Sequence, residues 1–308
     1  MARKTFFFPI LLLWIALPIA SSWGLTISSG PFSPLSNDKN YDAKMAALGK
    51  TLFFDNRLSK DNQLSCNSCH IQQLNGVDGR PKAIGPDNMI GKYNTPSLYN
   101  SALLYRLFWD GRERNNINRA ISTHIEEPTI MAGKWPDILA VLSNDSNLSK
   151  TFSKTFETGL TQTNIVNALV NYVTSLNYSP SRFDQYLWGD KNALSSEEKI
   201  GLKNFMDLGC HFCHQGKLLG GNLIMTLGLT YPYPDNPTRK KYRVATLRNV
   251  TQTAPYFHDG SVSTLEEAIR IMAKYQLGVD VKDNEIRSII TFLRALESNL
   301  NEGAKNAP

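Results

Sequence analysis

The 308-residue sequence has little of what would place it in several large classes of protein. Cysteine is scarce, with four in the chain, and 19% of the residues are charged, so neither a disulfide-dense scaffold nor a disordered chain is indicated. There is no dense run of lysine and arginine interleaved with aromatics, which excludes nucleic acid as an expected partner. After residue 24, no stretch is long and apolar enough to cross a membrane. A hydrophobic content of 42% is enough for two modest domains.

The first 24 residues have the composition of a secretory signal peptide. Arg3 and Lys4 precede an apolar stretch from Phe6 to Ala20, and small residues follow it. This order is typical of a leader that is cleaved after export. The alternative is an uncleaved membrane anchor, but the stretch is short for a bilayer span and contains two prolines. We therefore expect an exported protein with no stable membrane span after processing.

The four cysteines fall in two pairs, and a histidine follows each pair. The two segments are Cys66-Asn67-Ser68-Cys69-His70 and Cys210-His211-Phe212-Cys213-His214. This C-x-x-C-H pattern is the attachment motif of c-type haem, because two thiols at that spacing can bind one porphyrin while the adjacent imidazole reaches the iron. One copy alone could be a zinc or redox site, but two copies use every cysteine. The sequence therefore predicts two covalently bound haem c groups, with His70 and His214 as iron ligands.

Apolar residues at helical spacing predict a mostly helical chain. They recur over residues 165–176 and again over 286–296, whereas alternating strand patterns are scarce. A break at residues 177–180 indicates a domain boundary.

An internal duplication relates the two halves. Residues 96–112 align without gaps on residues 245–261, an offset of 149, and Trp109 occupies the place of His258. Chance similarity of two loops is the alternative, but two haem domains of common design explain the alignment better.

Further motifs cover nearly the whole mature chain, and they are Gly49-Lys50-x-Leu52-Phe53-Phe54-Asp55-x-Arg57-Leu58-Ser59, Asn94-Thr95-Pro96-Ser97-Leu98, Phe108-Trp109-Asp110-Gly111-Arg112, Phe183-Asp184-x-Tyr186, Thr246-Leu247-Arg248-Asn249 and Ala254-Pro255-Tyr256-Phe257-His258-Asp259-Gly260. With the two haem motifs, they make the chain resemble the bacterial di-haem cytochrome c peroxidases and their relative MauG. The resemblance implies an all-α periplasmic enzyme of two cytochrome-c-like haem domains in tandem, over residues 25–178 and 179–308. It implies that hydrogen peroxide meets the N-terminal haem. The C-terminal haem would relay electrons from a small cytochrome c or cupredoxin, and a homodimer is compatible with this picture.

The resemblance also implies roles for residues outside the haem motifs. Met272 matches the axial methionine of the C-terminal haem, where a thioether favours reduced iron; a packing role in a helix is the alternative. Trp109 matches the tryptophan between the two haems. Asn94, Thr253 and Pro255 match positions that hold a calcium ion through side-chain and backbone oxygens, with ordinary turn residues as the alternative.

Two positions depart from the family pattern. The loop after the first haem motif has no histidine near Gly85-Pro86 to act as a distal ligand. Ile130 stands where the family has a catalytic glutamate. Splitting peroxide needs a base that moves a proton between its oxygens, and isoleucine cannot carry one.

His124 is the histidine that the motifs leave without a role. It lies 15 residues after Trp109, much as Met272 lies 14 residues after His258, so the duplication places it near the N-terminal iron. It is expected to be a distal acid/base or a sixth ligand, and an ordinary core or surface histidine is the alternative. Glu126 and Glu127 are weaker candidates for the proton role.

The leading prediction is therefore a peroxidase-family oxidoreductase that reduces hydrogen peroxide with electrons from a small redox protein. One alternative is a MauG-like enzyme that oxidises side chains of a partner protein. The other is a non-catalytic di-haem electron carrier or sensor.

Overall fold

The computed structural model describes residues 30–36 and 40–299, so the predicted leader over residues 1–24 lies outside the described residues. Within these ranges the fold is helical with little sheet, as the sequence predicts. The α-helices, α1 to α9 in chain order, span Ala43–Phe53, Ile117–Glu126, Trp135–Ser143, Ser146–Thr155, Gln162–Ser175, Arg182–Leu187, Ser196–Asp207, Leu265–Ile271 and Asp283–Arg294. None of the helices described here is long and apolar enough to cross a membrane.

Shorter elements connect these helices. Two antiparallel ladders pair β1 (Arg106–Leu107) with β2 (Glu113–Arg114), and β3 (Ile224–Thr226) with β4 (Lys241–Arg243). A π-helical turn, Met272–Leu277, continues α8. Short 3-10 helices lie at Asn56–Leu58, Lys60–Asn62, Cys66–Ser68, Gln72–Leu74, Pro86–Asn88, Ser101–Leu103, Cys210–Phe212 and Val250–Gln252. Both haem motifs therefore begin in a 3-10 turn.

Polar side chains set where the helices begin. The Asp42 carboxylate accepts a hydrogen bond from the Met45 backbone N–H at 2.9 Å at the start of α1. Ser195 and Glu198 form a reciprocal capping box at the start of α7. The first turn of a helix has backbone N–H groups without helical partners, and such caps satisfy them.

Two clusters of buried apolar side chains organise the molecule. The first joins α1, α3, α4 and α5 and contains Phe53, Phe152 and Tyr172. The second joins α6, α7 and α9 and contains Phe205, Phe292 and also Phe32 from the first described segment. The N-terminal segment therefore packs on the second half of the chain.

In each cluster two helices cross at a glycine, α1 with α5 in the first and α7 with α9 in the second. A Cβ on Gly49 of α1 would lie 2.0 Å from the Ala168 backbone oxygen of α5, and a Cβ on Gly201 of α7 would lie 1.9 Å from the Ser288 oxygen of α9. No side chain fits at such distances unless the backbones move apart. The two halves thus share one mode of helix crossing.

The duplication of sequence is also a duplication of backbone. Three kinds of backbone feature recur at the same offset of 149. Left-handed residues recur at Asn100 and Asn249 and at Phe108 and Phe257, and a 3-10 turn recurs at Ser101–Leu103 and Val250–Gln252. The antiparallel pairing of Leu107 with Glu113 recurs as that of Tyr256 with Val262. Asparagine tolerates the left-handed region better than most residues. The two halves therefore place equivalent loops beside their haem motifs.

A buried ion pair joins three segments. Asp184 of α6 is 0% exposed and Arg248 is 6% exposed, and both guanidinium Nη atoms donate to the carboxylate at 2.7 Å. The Leu35 backbone N–H also donates to Asp184, at 2.8 Å. A bidentate pair of this kind fixes orientation as well as charge, so it holds the N-terminal segment, α6 and the loop before Asn249 together.

Candidate functional site

The first haem motif opens onto a cavity of about 350 Å³ in the N-terminal half. Cys66, Cys69 and His70 line it, together with mostly apolar side chains. The Nδ1–H of His70 donates to the Gly76 backbone oxygen at 3.1 Å, since a carbonyl can only accept. Burial lowers the pKa of His70 and raises the pKa of Cys66 to about 12. The imidazole is therefore neutral, with Nε2 free to accept or to bind a metal.

The second haem motif opens onto a cavity of about 190 Å³ in the C-terminal half. Cys210, Cys213 and His214 line it. The Nδ1–H of His214 donates to the Leu219 backbone oxygen, again at 3.1 Å. Burial lowers the pKa of His214 as well. The two histidines are thus held by the same kind of bond at matching places in the two halves.

Both cavities fit a covalently attached haem. Each has two free thiols, one at the start of a 3-10 turn and one on the residue directly after it, and an imidazole whose Nδ1–H is held by a backbone carbonyl. Metal-ligating histidines commonly donate their second ring N–H in this way. Apolar walls suit a porphyrin, and the donor set of two thiols and one imidazole is the one that c-type attachment requires.

Met272 lines the second cavity together with His214. It begins the π-helical turn Met272–Leu277, and such turns occur frequently at functional sites. The structure therefore brings the predicted thioether to the predicted haem cavity, on an element that departs from ordinary helix geometry at that residue.

One wall is common to the two cavities. Trp109 and Arg243 line both of them. The Trp109 indole Nε1–H donates to the Asn94 backbone oxygen at 2.9 Å, and the Arg243 backbone N–H donates to the Trp109 oxygen at 2.7 Å. The tryptophan predicted to lie between the two haems thus lies between the two cavities.

His124 of α2 faces the first cavity. Its ring centroid lies 6.2 Å from that of His70, with 47° between the planes. It also stacks on Phe108, with centroids 5.0 Å apart and 13° between the planes. Desolvation, together with the proximity of His70 and Arg112, lowers the pKa of His124 to about 3. The structure therefore brings two neutral imidazoles to one cavity.

The structure distinguishes between the residues that could transfer a proton to a molecule in the first cavity. Ile130 and Glu127 both line the first cavity, and the Glu127 carboxylate accepts a hydrogen bond from the Thr129 hydroxyl at 3.5 Å. Glu126 instead accepts from the Ser122 hydroxyl at 3.2 Å, on the exposed side of α2. Of the two glutamates, Glu127 is therefore the one placed to exchange a proton with a molecule in this cavity.

The three residues predicted to hold calcium line a third cavity of about 90 Å³. The Asn94 side-chain amide donates to the Arg80 backbone oxygen at 2.8 Å, which leaves its Oδ1 available. Arg243 and Arg248 line the same cavity, and their positive charges oppose a cation there. Calcium bound by Asn94, Thr253 and Pro255 stays a prediction.

Sequence reasoning gave no role to Arg243. A signal was nevertheless present, because Arg243 and Asn94 are separated by the same offset of 149. Extending the internal alignment by two residues would have included this pair. By contrast, His258, the counterpart of Trp109, lines the second of the two haem-motif cavities and not the first, and Tyr242 stacks on it there with centroids 3.8 Å apart.

The chain is similar in sequence and structure to known di-haem proteins. The family model described as di-haem cytochrome c peroxidase matches residues 43–192. The cytochrome c551 peroxidase of Nitrosomonas europaea is 34% identical over 310 residues, which cover 96% of this chain and 92% of the relative. Cytochrome c peroxidase Ccp of Escherichia coli (strain K12) is 33% identical over 282 residues, covering 86% of this chain and 61% of that longer relative. A crystal structure of a MauG-like protein associated with microbial copper homeostasis superposes with a TM-score of 0.72 at 25% identity, covering 91% of this chain and 96% of that one.

Proposed function

Because the chain belongs to the di-haem cytochrome c peroxidase family and is an enzyme of the cytochrome c peroxidase type, we propose that it reduces hydrogen peroxide to water with electrons from a small redox protein, a cytochrome c or a cupredoxin. The observation that carries this proposal is the pair of cavities, each with two cysteines and a histidine, that share the wall formed by Trp109 and Arg243. We place the protein in the periplasm on the basis of its predicted leader.

Each of the two cavities supplies the residues that hold one haem. Cys66 and Cys69 bind one haem and Cys210 and Cys213 the other, each with the histidine that follows as the iron ligand. When bound, each haem supplies an iron that exchanges single electrons, which the side chains of the cavities cannot do. This arrangement supports two haem domains in tandem, predicted over residues 25–178 and 179–308, with Phe32 of the first range packed in the second cluster.

The C-terminal cavity is suited to holding an electron. A methionine thioether as the second axial ligand stabilises reduced iron and raises its potential. Two methionines, Met225 and Met272, line that cavity. We assign the role to Met272, which begins the π-helical turn and matches the axial methionine of the family. The Trp109 indole, on the wall common to both cavities, shortens the gap that an electron must cross to reach the N-terminal site.

The spacing of His70 and His124 favours ligation by His124 over a role as free acid/base. A metal–imidazole bond is about 2 Å long, and a ring nitrogen lies about 1.1 Å from the ring centroid. Two imidazoles that bind one ion from opposite sides therefore have centroids about 6 Å apart. The observed 6.2 Å accommodates one ion but not an ion and a peroxide together. We infer that His124 is a sixth ligand that peroxide must displace.

Glu127 is the group that would handle protons once peroxide has entered. Reduction of one peroxide to two waters consumes two electrons and two protons, and a carboxylate beside the substrate can transfer them. Glu127 lines the cavity that Ile130, at the family glutamate position, also lines. It therefore replaces the missing glutamate from a neighbouring position.

The experiment is a coupled assay on the holoprotein. The protein is produced with haem-maturation machinery, its mass is measured, and peroxide-dependent oxidation of a reduced small cytochrome c is followed. We expect the mass of two attached haems and peroxide-dependent turnover, and the Cys66→Ala/Cys69→Ala variant should lose one haem and all turnover. The proposal fails if the wild-type protein has the mass of the bare chain, or if it carries two haems and consumes no peroxide with any small donor.

A second function is favoured by one observation, the isoleucine at the glutamate position. Slow peroxide turnover would suit an enzyme that oxidises side chains of a partner protein, and the chain is similar to a MauG-like protein. This alternative predicts a peroxide-dependent change of mass in a secreted protein encoded beside the gene. An unchanged mass in each such protein would reject it.

A further inference from the structure

A buried arginine at the wall between the two cavities lacks an ionic partner. Arg243 is 5% exposed. Its Nε donates to the Phe108 backbone oxygen at 3.2 Å, and its guanidinium carbon lies 5.7 Å from the Trp109 ring centroid. Across the described ranges no carboxylate forms an ion pair with it, and burial alone accounts for the lowering of its pKa to about 10.

A second buried arginine, Arg248, does have an ionic partner. Arg248 has a comparable exposure of 6%, and both its Nη atoms donate to the Asp184 carboxylate at 2.7 Å. A buried charge without a counterion destabilises a protein by several kcal/mol. The Arg243 guanidinium therefore requires an anion that the protein chain does not supply.

The position of Arg243 indicates where that anion comes from. Arg243 lines the first cavity, the second cavity and the small third cavity, and its guanidinium lies beside Trp109, which lines the same three cavities. Apart from the iron, the charged groups of a haem are its propionate carboxylates. A guanidinium offers two parallel N–H donors that match a carboxylate. A single buried fork that faces both cavities can therefore bind carboxylates from both sides.

We propose that Arg243 is a cofactor-binding residue whose guanidinium binds a propionate of each haem, so that one positive charge is shared by the two haems. This inference rests on the cofactors of the proposed function. It gives Arg243 an electrostatic role in addition to an attachment role, because a cation close to both haems stabilises their reduced forms.

The test is a spectroelectrochemical titration of both haems in the holoprotein over a range of pH, for the wild type and Arg243→Gln. Without the cation, both reduction potentials should fall. Both should also become pH-dependent at higher pH, because the propionates lose the charge that keeps them ionised. Arg112→Gln is the matched control: Arg112 lines only the first of the two haem cavities and has its own carboxylate, Asp110, at 2.9 Å. It should leave the C-terminal potential unchanged.

The outcomes separate this inference from the proposed function. If Arg243→Gln carries two haems and shifts one potential or neither, Arg243 is not shared and the inference is wrong. If Arg243→Gln does not fold, Arg243→Lys keeps the charge but loses the fork. Its propionate bands in resonance Raman spectra should then move for both haems, and unchanged bands would equally overturn the inference. Wild-type protein without attached haem would instead contradict the proposed function itself.

Discussion

Replacing His124 by alanine should open the N-terminal site. If His70 and His124 both bind the iron, as proposed, the oxidised wild-type haem is low-spin, because two imidazoles are strong-field ligands. Alanine removes one of them and leaves the space that the ring occupied beside Phe108. The oxidised haem should become high-spin, and peroxide should bind faster because no ligand has to leave first.

The expected increase in the rate of peroxide binding follows from the free energy that holds the His124 ring in place. Stacking of His124 on Phe108 contributes about 1 kcal/mol. We take the iron–imidazole bond, net of the entropy of ordering the side chain, to add about 2 kcal/mol, since a typical charge-assisted contact is of that order. A ligand held by about 3 kcal/mol occupies the site all but ~1% of the time, so its removal should speed peroxide binding by ~10²-fold.

The assay combines electron paramagnetic resonance of the oxidised protein with stopped-flow mixing against peroxide. Ile130→Ala is the matched control, because it enlarges the same cavity without removing an imidazole, and its spin state should stay low. Added imidazole should return His124→Ala to low spin.

The opposite result has a defined meaning. If His124 were the distal acid/base, the wild-type haem would be high-spin, and His124→Ala would cut peroxide reactivity by ~10²-fold or more. Because the two hypotheses differ in sign, one comparison separates them. If neither spin state nor rate changes, His124 has neither role, and the inference from the ring spacing is refuted.

Three further predictions concern the C-terminal haem and the helix packing. Met272→Ala should lower the potential of the C-terminal haem and make it high-spin or water-ligated in redox and resonance spectra; an unchanged spectrum and potential would leave Met272 as a packing residue. Gly201→Ala places a Cβ within 1.9 Å of a backbone oxygen of α9, so it should lower the free energy of unfolding, measured in denaturant melts, by about 3 kcal/mol. Gly30→Ala is the control: no atom lies near its added Cβ, and the free energy of unfolding should change by less than about 0.5 kcal/mol. Asp184→Asn leaves Arg248 buried without its counterion and should cost about 3–5 kcal/mol in the same melts; a loss below about 1 kcal/mol would mean that the pair contributes little.

The features that the sequence predicted well are those in which neighbouring residues act together. Each C-x-x-C-H motif is five consecutive residues that begin in a 3-10 turn, so both thiols and the imidazole reach the same cavity. The helices over residues 165–176 and 286–296 follow from apolar spacing and appear as Gln162–Ser175 and Asp283–Arg294. The family resemblance is confirmed by the relatives, because it rests on several such short motifs.

The features that the sequence did not predict depend on contacts between distant segments. Arg243 becomes a candidate cofactor-binding residue only because β4 lies against the backbone of Phe108 and Trp109. Glu126 and Glu127 are equal candidates in the sequence, and only the end of α2 decides that one of them lines the cavity. No periodicity or local motif carries this information.

The duplication explains why the two sites can differ in chemistry while sharing a backbone. Three pairs of matched positions carry different side chains: Asn94 and Arg243, Trp109 and His258, and His124 and Met272. Trp109 and His258 lie within segments whose backbone conformations repeat at the offset of 149. Asn94 and Arg243 precede these segments at the same offset, and His124 and Met272 follow them at an offset of 148. The two sites can therefore be unequal without a change of fold. If an imidazole completes one site and a thioether the other, as we propose, the two irons differ in potential, with the higher potential at the Met272 side. Trp109 and Arg243, which line both cavities, are the residues placed to couple the two unequal sites.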